Sequence, residues 1–404
     1  MIGAIIGDIV GSSHEFNSIK TTNFNLFDKR SRYTDDSVMS MAVAEWLMDD
    51  PAHLHEVLEQ KMVKYGSLNP DAGYGGMFFR WLFHPERVFK SGKREAYNSF
   101  GNGSAMRVSA VGWLFDTLEE TERVAEISAS ITHNHPEGIK GAQSTAAAIW
   151  LARNGKSKQE IKDYISTKYG YDLNRTCDEI RPDYDFDVTC QGSVPESIIA
   201  FLESSDYEST IRLAVSLGGD SDTQACIAGG IAEAFYKDIP VEIVSRAMRL
   251  VPSYFKETLK RFYDKANYHP KYIDMEQKEK QTERCTPDFI RTLAPNEIFV
   301  FGSNLAGAHG GGAARIAMDK FGAVWGQGVG LQGQSYAIPT MQGGVETIKP
   351  YVDEFIEFAK MHPEYKFLVT RIGCGIAGFT DEEIAPLFKE AQSLENVWLP
   401  RSFR

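Results

Sequence analysis

The feature that most limits how this chain can fold is a change of hydrophobic period near residue 265. Before it, helical stretches follow one another with Gly-rich and polar loops between them: Glu122 to Ile131, Ala142 to Ala152, Glu196 to Glu203, Ile211 to Leu217 and Val241 to Leu250. Alternating β-branched runs are scarce, so residues 1–265 read as a mostly α-helical domain. Residues 266–288 hold Asn-Tyr-His-Pro, the charged block Glu276 to Lys280 and Pro287, and read as a linker. From 289 to 404 strands alternate with helices, with strands expected at Glu297 to Phe301 and Lys366 to Ile372 and helices at Ala313 to Lys320, Val352 to Lys360 and Glu382 to Ala391. That alternation predicts a small α/β domain. A length of 404 residues, too great for one ordinary core, agrees with two domains.

Within the helical part, Thr34-Asp35-Asp36 and Asp220-Ser221-Asp222-Thr223 each open a segment that reads as a helix. Val38, Met41, Ala42 and Trp46 recur at helical spacing after the first, and a run of small packing residues, Ala225 to Ala232, follows the second. A helix cap needs one acid; a second carboxylate beside it adds repulsion unless a cation relieves it. The carboxylates and hydroxyls of the two clusters are hard oxygen ligands suited to Mg²⁺, Ca²⁺ or Mn²⁺, not to zinc or copper.

A net charge of −12 argues against a general nucleic-acid or membrane-surface binder, because no broad positive field would draw in phosphates. The five cysteines are scattered without CxxC spacing, which disfavours a disulfide framework or a zinc site. The apolar run Met1 to Val10 lacks a basic flank and carries Asp8, so it reads as neither a signal peptide nor a membrane span, and a cytoplasmic location is expected.

Other segments offer binding chemistry. Gly101, Asn102, Gly103, Ser104, Ala105, Met106 and Arg107 present unobstructed backbone N–H groups, an amide, a hydroxyl and a guanidinium at the start of a helix, a cradle for a diphosphate. Glu15 follows a Gly-rich helix, Asp71 lies in a turn-rich loop that runs on to Gly73-Tyr74-Gly75-Gly76, and His133 follows a helix. In the α/β part the glycines cluster after strands, in Gly302 to Gly312 and Gly373 to Gly378, where open α/β sheets bind ligands.

Taken in order, Gly-Asp-x-x-Gly-Ser ending in Glu15, Tyr33-Thr34-Asp35-Asp36, Gly73-Tyr74-Gly75, Gly101 to Arg107, Thr132-His133, Gly192-Ser193-Val194-Pro195 and Gly218 to Thr223 resemble the motifs of the ADP-ribosylglycohydrolases over roughly the first 265 residues. The resemblance implies a largely α-helical fold holding two Mg²⁺ or Mn²⁺ ions beside an ADP-ribose cleft. It makes Glu15, Thr34, Asp35, Asp36, Asp220, Asp222 and Thr223 the metal shell, and Gly75, Gly101 to Arg107 and His133 the wall of the cleft. Cleaving a ribosyl bond needs an activated water, and Glu15, Asp35 and Asp71 are the candidates for the carboxylate that accepts its proton.

The C-terminal part resembles macro domains, which bind ADP-ribose in loops that follow sheet strands. That likeness assigns ligand contacts to Asn304, Gly311, Gly312, Gly373, Gly375, Ile376, Ala377 and Gly378, while the acid that usually holds adenine is not evident before Ile298. The expected activity is release of ADP-ribose from an acceptor, with nucleic acid entering only as a modified substrate. The rivals are hydrolysis of a free metabolite such as O-acetyl-ADP-ribose and a non-catalytic ADP-ribose sensor. The sequence names neither the acceptor nor the oligomeric state.

Overall fold

A computed structural model of the chain describes residues 1–270, 284–287 and 289–404. The chain divides into two compact units, residues 1–273 and 274–404. Most of the expected linker, 271–283 and 288, lies outside the described residues. Its described ends are structured: Tyr268 packs its ring 4.7 Å from Trp113 in the first unit, and in the second Thr286 donates its N–H to Leu399 O and its hydroxyl to Trp398 O.

The first unit is helical, and the helices that build its site are α1 (Ile2–Gly11), α2 (Asp35–Asp49), the single turn α3 (Gly103–Met106), α4 (Pro136–Arg153), α5 (Cys190–Glu203) and α6 (Ser221–Tyr236). Every residue of α1 is buried, as is nearly all of α6. The apolar run at the start of the chain is therefore a central core helix, hydrophobic all round because it is surrounded. Gly3, Gly7 and Gly11, four residues apart, form the face that meets α6. A Cβ on Gly7 would stand 2.0 Å from Ala225 O, on Gly3 2.4 Å from Gly229 O, and on Gly11 2.3 Å from Ser221 O. Any side chain there forces the helices apart, so Gly7→Ala should cost at least the ~1–3 kcal/mol typical of an overpacked core. This close crossing brings Asp8 beside the start of α6.

Helix boundaries differ from the sequence reading where capping residues extend them. α4 starts six residues earlier than expected because His135 Nδ1 accepts from Glu137 N and Pro136 fits the first turn. α5 starts at Cys190 because the Thr189 hydroxyl accepts from Gly192 N.

The second unit is an α/β sandwich. Its strands are β1 (Glu297–Ser303), β2 (Gly330–Gln332), β3 (Ser335–Pro339), β4 (Lys366–Val369) and β5 (Val397–Trp398), in the order β2-β3-β1-β4-β5, parallel except for β2 against β3. The alternation along β1 decides what each face covers. Ile298 and Val300 join a core with α8 (Val345–Met361), while Phe299 and Phe301 join Ala314, Ala317 and Phe321 beneath α7 (Gly312–Lys320). The helix expected from Glu382 to Ala391 is one α turn, Asp381–Ile384, continued by 3-10 turns, since Pro386 has no N–H to donate. Among the described residues no helix is long and apolar enough to cross a membrane.

Candidate active site

The N-termini of α2 and α6 meet across α1, and their acids converge on a cavity of about 320 Å³. Carboxylate oxygens of Asp8, Asp36 and Asp222 lie within 4.8 Å of one another, as do those of Glu15, Asp220 and Asp222, so Asp222 belongs to both groups. Thr223 donates its hydroxyl to Asp36 Oδ2 at 3.4 Å, and Asn102 Nδ2 donates to Asp220 Oδ2 at 2.7 Å. Asp35 joins from the first turn of α2, anchored by its N–H to Ala72 O at 2.8 Å.

Packing these acids together raises their affinity for protons. Burial, then the charges of Asp222 and Asp8, hold Asp35 and Asp36 well above the ordinary carboxylate range; burial and Asp220 do the same to Asp222. Glu15 is pushed up to about 8 by burial and by Asp222, and Asp220 to about 6 by burial. Asp36 Oδ1 is buried with no hydrogen-bond partner among the described residues. An orphaned carboxylate oxygen among repelling acids, all with hard oxygen donors, fits a site for divalent cations.

Asp8 was not among the site residues expected from sequence. It accepts from Thr34 N and the Thr34 hydroxyl, at 2.9 and 2.7 Å, and from the Ser37 N–H and hydroxyl, which fixes the first turn of α2 against α1. Its signal was present as an acid within an otherwise apolar helical run. Thr34 directs its hydroxyl to Asp8 Oδ1 at 2.7 Å and to Asp36 Oδ2 at 3.2 Å, so it stands behind the carboxylates and does not line the cavity.

The far wall carries the opposite charge. Arg107 is fully buried with Nη2 donating to Ser128 O and Thr132 Oγ1, both at 2.9 Å, and Nε without a partner among the described residues. Both bonded partners are neutral, so the guanidinium remains available to an anion, although burial lowers its pKa to about 10. Thr132 Oγ1 accepts from Arg107 and has its own hydrogen for His133 Nδ1 at 2.7 Å. That arrangement assigns the ring proton to His133 Nε2, which faces Gly101 and Gly103 as a donor. Burial and Arg107 depress the pKa of His133 far below its ordinary value, so the ring is neutral.

Not every expected residue reaches the cavity. Gly75, Gly101, Asn102, Gly103, Met106, Arg107 and His133 line it, together with Tyr97, Ser99, Phe186 and Val188, which sequence motifs did not single out. Ser104 instead donates to Gly138 O at 2.7 Å and Ala105 packs in the core, because one helical turn can present only alternate faces. Asn102 spends its amide on Asp220 and Ser193, orienting the acid cluster. Asp71 is exposed on its turn and lines no part of the cavity, since Asp35 holds the neighbouring Ala72 inward.

In the second unit the C-terminal ends of β3, β1 and β4 enclose a cavity of about 310 Å³, lined by Gly311, Gly312, Gly373, Gly375, Ile376 and Ala377 among others. Asn304 borders it, but Nδ2 donates to Ala308 O and Oδ1 accepts from Ala308 N, so the side chain braces its own loop. Gly307 serves packing, as a Cβ there would meet Gln327 N at 2.3 Å. Gly378 closes a turn through its N–H to Gly375 O and stays outside the lining.

The ADP-ribosylglycohydrolase family model matches residues 1–271, the greater part of the chain. The chain belongs to the ADP-ribosylglycohydrolase family. Its relatives include ADP-ribosylhydrolase ARH3 of Homo sapiens, 26% identical over 304 residues covering 58% of this chain and 84% of the relative. The Bos taurus ARH3 is 27% identical over 260 residues, covering 50% and 70%. A putative ADP-ribosyl glycohydrolase, L543, of Acanthamoeba polyphaga mimivirus is 26% identical, covering 59% and 87%. A solved chain described as an ADP-ribosylglycohydrolase-related protein complex superposes with a TM-score of 0.51 at 19% identity, over 66% of this chain and 97% of that one, a likeness of fold. As an ADP-ribosylglycohydrolase, the chain is a hydrolase of glycosidic bonds to ADP-ribose, and both carboxylate groups and Arg107 fall within the matched span.

Proposed function

We propose that the first unit releases ADP-ribose from a modified acceptor with the help of two Mg²⁺ ions, which Mn²⁺ can replace. The observation that carries this reading is the placement of the buried carboxylates at one end of a cavity and a buried cation with neutral partners at the other. Glu15, Asp35, Asp36, Asp220, Asp222 and Thr223 would hold the ions, with Thr34 and Asp8 positioning them. Bound there, the ions supply positive charge that keeps the acids ionised and polarises the ribose hydroxyls and water. Arg107 and the Nε2–H of His133 bind the diphosphate, and the open backbone at Gly75 and Gly76 admits it closely, since a Cβ at either would meet nothing within 4 Å. The ribose then lies with its anomeric carbon toward the acids. Glu15, half-buried at the edge of the cluster, accepts the proton of the attacking water as the ribosyl bond breaks through an oxocarbenium-like state.

For the second unit we propose metal-independent binding of ADP-ribose in the glycine-lined cavity, as in macro domains. The test is release of ADP-ribose from a panel of ADP-ribosylated peptides and oligonucleotides and from O-acetyl-ADP-ribose, with Mg²⁺ and with chelator. Mg²⁺-dependent release from a peptide is the expected result; release from O-acetyl-ADP-ribose alone moves the assignment to a free metabolite, and no release from any of them removes it.

A further inference from the structure

At its carboxylate end the first cavity has two sulfur atoms for which the hydrolytic chemistry has no use. Met106 lines the cavity at the end of α3. Cys226 lies behind it on α6, four residues after Asp222 and three after Thr223, and so on the same helix face as both. The Met106 and Cys226 side chains pack together with Ala4 in a small buried cluster. The Cys226 thiol donates to Met106 O at 3.4 Å, and the Thr223 hydroxyl lies 3.7 Å from Met106 Sδ. Of the charges around the Cys226 thiol, that of Asp36 acts on it most strongly.

Asp36 supplies the oxygen side of this arrangement. Two hydroxyls reach it, Thr34 at 3.2 Å and Thr223 at 3.4 Å, and both go to Oδ2. Oδ1 is left buried and without a hydrogen-bond partner among the described residues, on a residue only 2% exposed. Mg²⁺ gains nothing from the sulfurs, because it takes oxygen ligands in a near-octahedral shell. A thiol and a thioether beside a carboxylate form a mixed sulfur–oxygen set, which suits zinc-like cations in a tetrahedral shell. A cysteine that only fills space behaves as a small buried hydrophobe. Cys226 differs in standing beside a carboxylate that has an unmatched oxygen.

We propose that Asp36, Met106 and Cys226 form a thiophilic cation site adjoining the Mg²⁺ shell, which takes Zn²⁺ or Cd²⁺ and stops the reaction by drawing Asp36 out of that shell. As the sulfur–metal bond forms, the thiol proton leaves to solvent. The block on turnover rests on the Mg²⁺-dependent hydrolase reading above; occupancy of the sulfur site does not, and the two are measured separately on the full chain. Cd²⁺ titrated into the chelator-stripped protein should give an ultraviolet sulfur-to-metal charge-transfer band that Cys226→Ser and Cys226→Ala lack. Met106→Leu should keep the band and weaken Cd²⁺ binding about tenfold. With Mg²⁺ present, Zn²⁺ should reversibly inhibit ADP-ribose release. The Zn²⁺ concentration for half-inhibition should rise at least about tenfold in Cys226→Ser. Serine can still donate to Met106 O, so this variant should melt with the parent and match its release in Mg²⁺ alone. A band that persists in both Cys226 variants, or equal inhibition of parent and Cys226→Ser, overturns the proposal and leaves Cys226 as packing. A band lost with Cys226, in a protein that shows no Mg²⁺-dependent release, would uphold the sulfur site while removing the hydrolase reading.

Discussion

The two cavities are nearly equal in size and opposite in construction. The first is built at helix N-termini from ionisable side chains, with carboxylates crowded within 4.8 Å and one buried guanidinium across from them. The second is built at strand ends largely from glycine backbone, and among the described residues no carboxylate lines it. Arg371, at its edge, is paired with Asp381 at 2.7 Å. Crowded acids are costly without a cation and reactive with one, so the first cavity suits chemistry. Backbone N–H groups carry no such cost and suit holding an anion. The contrast predicts that each cavity answers to different perturbations.

The largest effect should come from the acid shared by both carboxylate groups. Asp222→Ala should lower ADP-ribose release by about 10³-fold or more, as expected when a charged group at the reacting centre is lost. The second unit should still bind ADP-ribose, and circular dichroism should show an intact fold. Asp35→Ala should behave in the same way. Retained activity within a few-fold of the parent would erase the distinction between the two cavities.

Next is Glu15→Gln, which keeps shape and removes basicity. Turnover should fall about 10²-fold while calorimetry still detects ADP-ribose in the first cavity. Loss of binding with normal turnover per bound substrate would make Glu15 a positioning residue. Asp71, exposed and outside the cavity, is no substitute: Asp71→Asn should leave turnover within about twofold.

In the second cavity, Gly375→Glu should abolish ADP-ribose binding without unfolding the unit, because a Cβ at Gly375 meets nothing within 4 Å and the added charge opposes a diphosphate. Chelator should not affect binding there. Asn304→Ala should cost only a few-fold in affinity, through a looser loop, because its amide is already spent on Ala308. A loss as severe as that of Gly375→Glu would restore Asn304 as a direct ligand.

The subtlest effect is on stability against pH. Glu15 binds its proton more tightly folded, at about 8, than at the ordinary 4.5, and Asp35, Asp36 and Asp222 shift in the same direction. Between those pH values these acids hold more protons folded than unfolded, so their own contribution to metal-free stability is fully present at and below the lower value and is lost as pH rises through about 8, while the depressed His133 contributes in the opposite sense around its ordinary 6.5. Calorimetric melting of the chelated protein should therefore show the first unit softening from pH 5 to 8, and Mg²⁺ should flatten that slope.

Much of this contrast was legible in the sequence. Doubled acids at two helix starts and the strand–glycine pattern at β1 each reflect a local rule, and each marks a place where the structure builds a cavity. What stayed hidden depended on tertiary context. Asp8 is a partner of Thr34 and Ser37 only once α1 is packed beside α2. Phe186 and Val188 come from a loop with no motif, brought to the cleft by the hydrogen bond between Asn102 and Val188. β2 and β5, three and two residues long, are too short to show a period. Ser104 and Ala105 were named as members of the Gly101 to Arg107 string, Asp71 for its turn-rich loop and Asn304 by likeness to macro domains; Ser104 and Ala105 turn to the core, Asp71 to solvent, and Asn304, at the edge of its cavity, to Ala308.

The most direct measurement of the central claim strips the full chain with chelator, titrates Mg²⁺ back, and follows release of ADP-ribose from an ADP-ribosylated peptide. The account predicts no release from the stripped protein, full recovery of the parent with Mg²⁺ or Mn²⁺ and poor recovery with Zn²⁺, and no recovery of Asp222→Ala at any Mg²⁺ concentration. Release by the stripped parent within a few-fold of the Mg²⁺-loaded protein would contradict it.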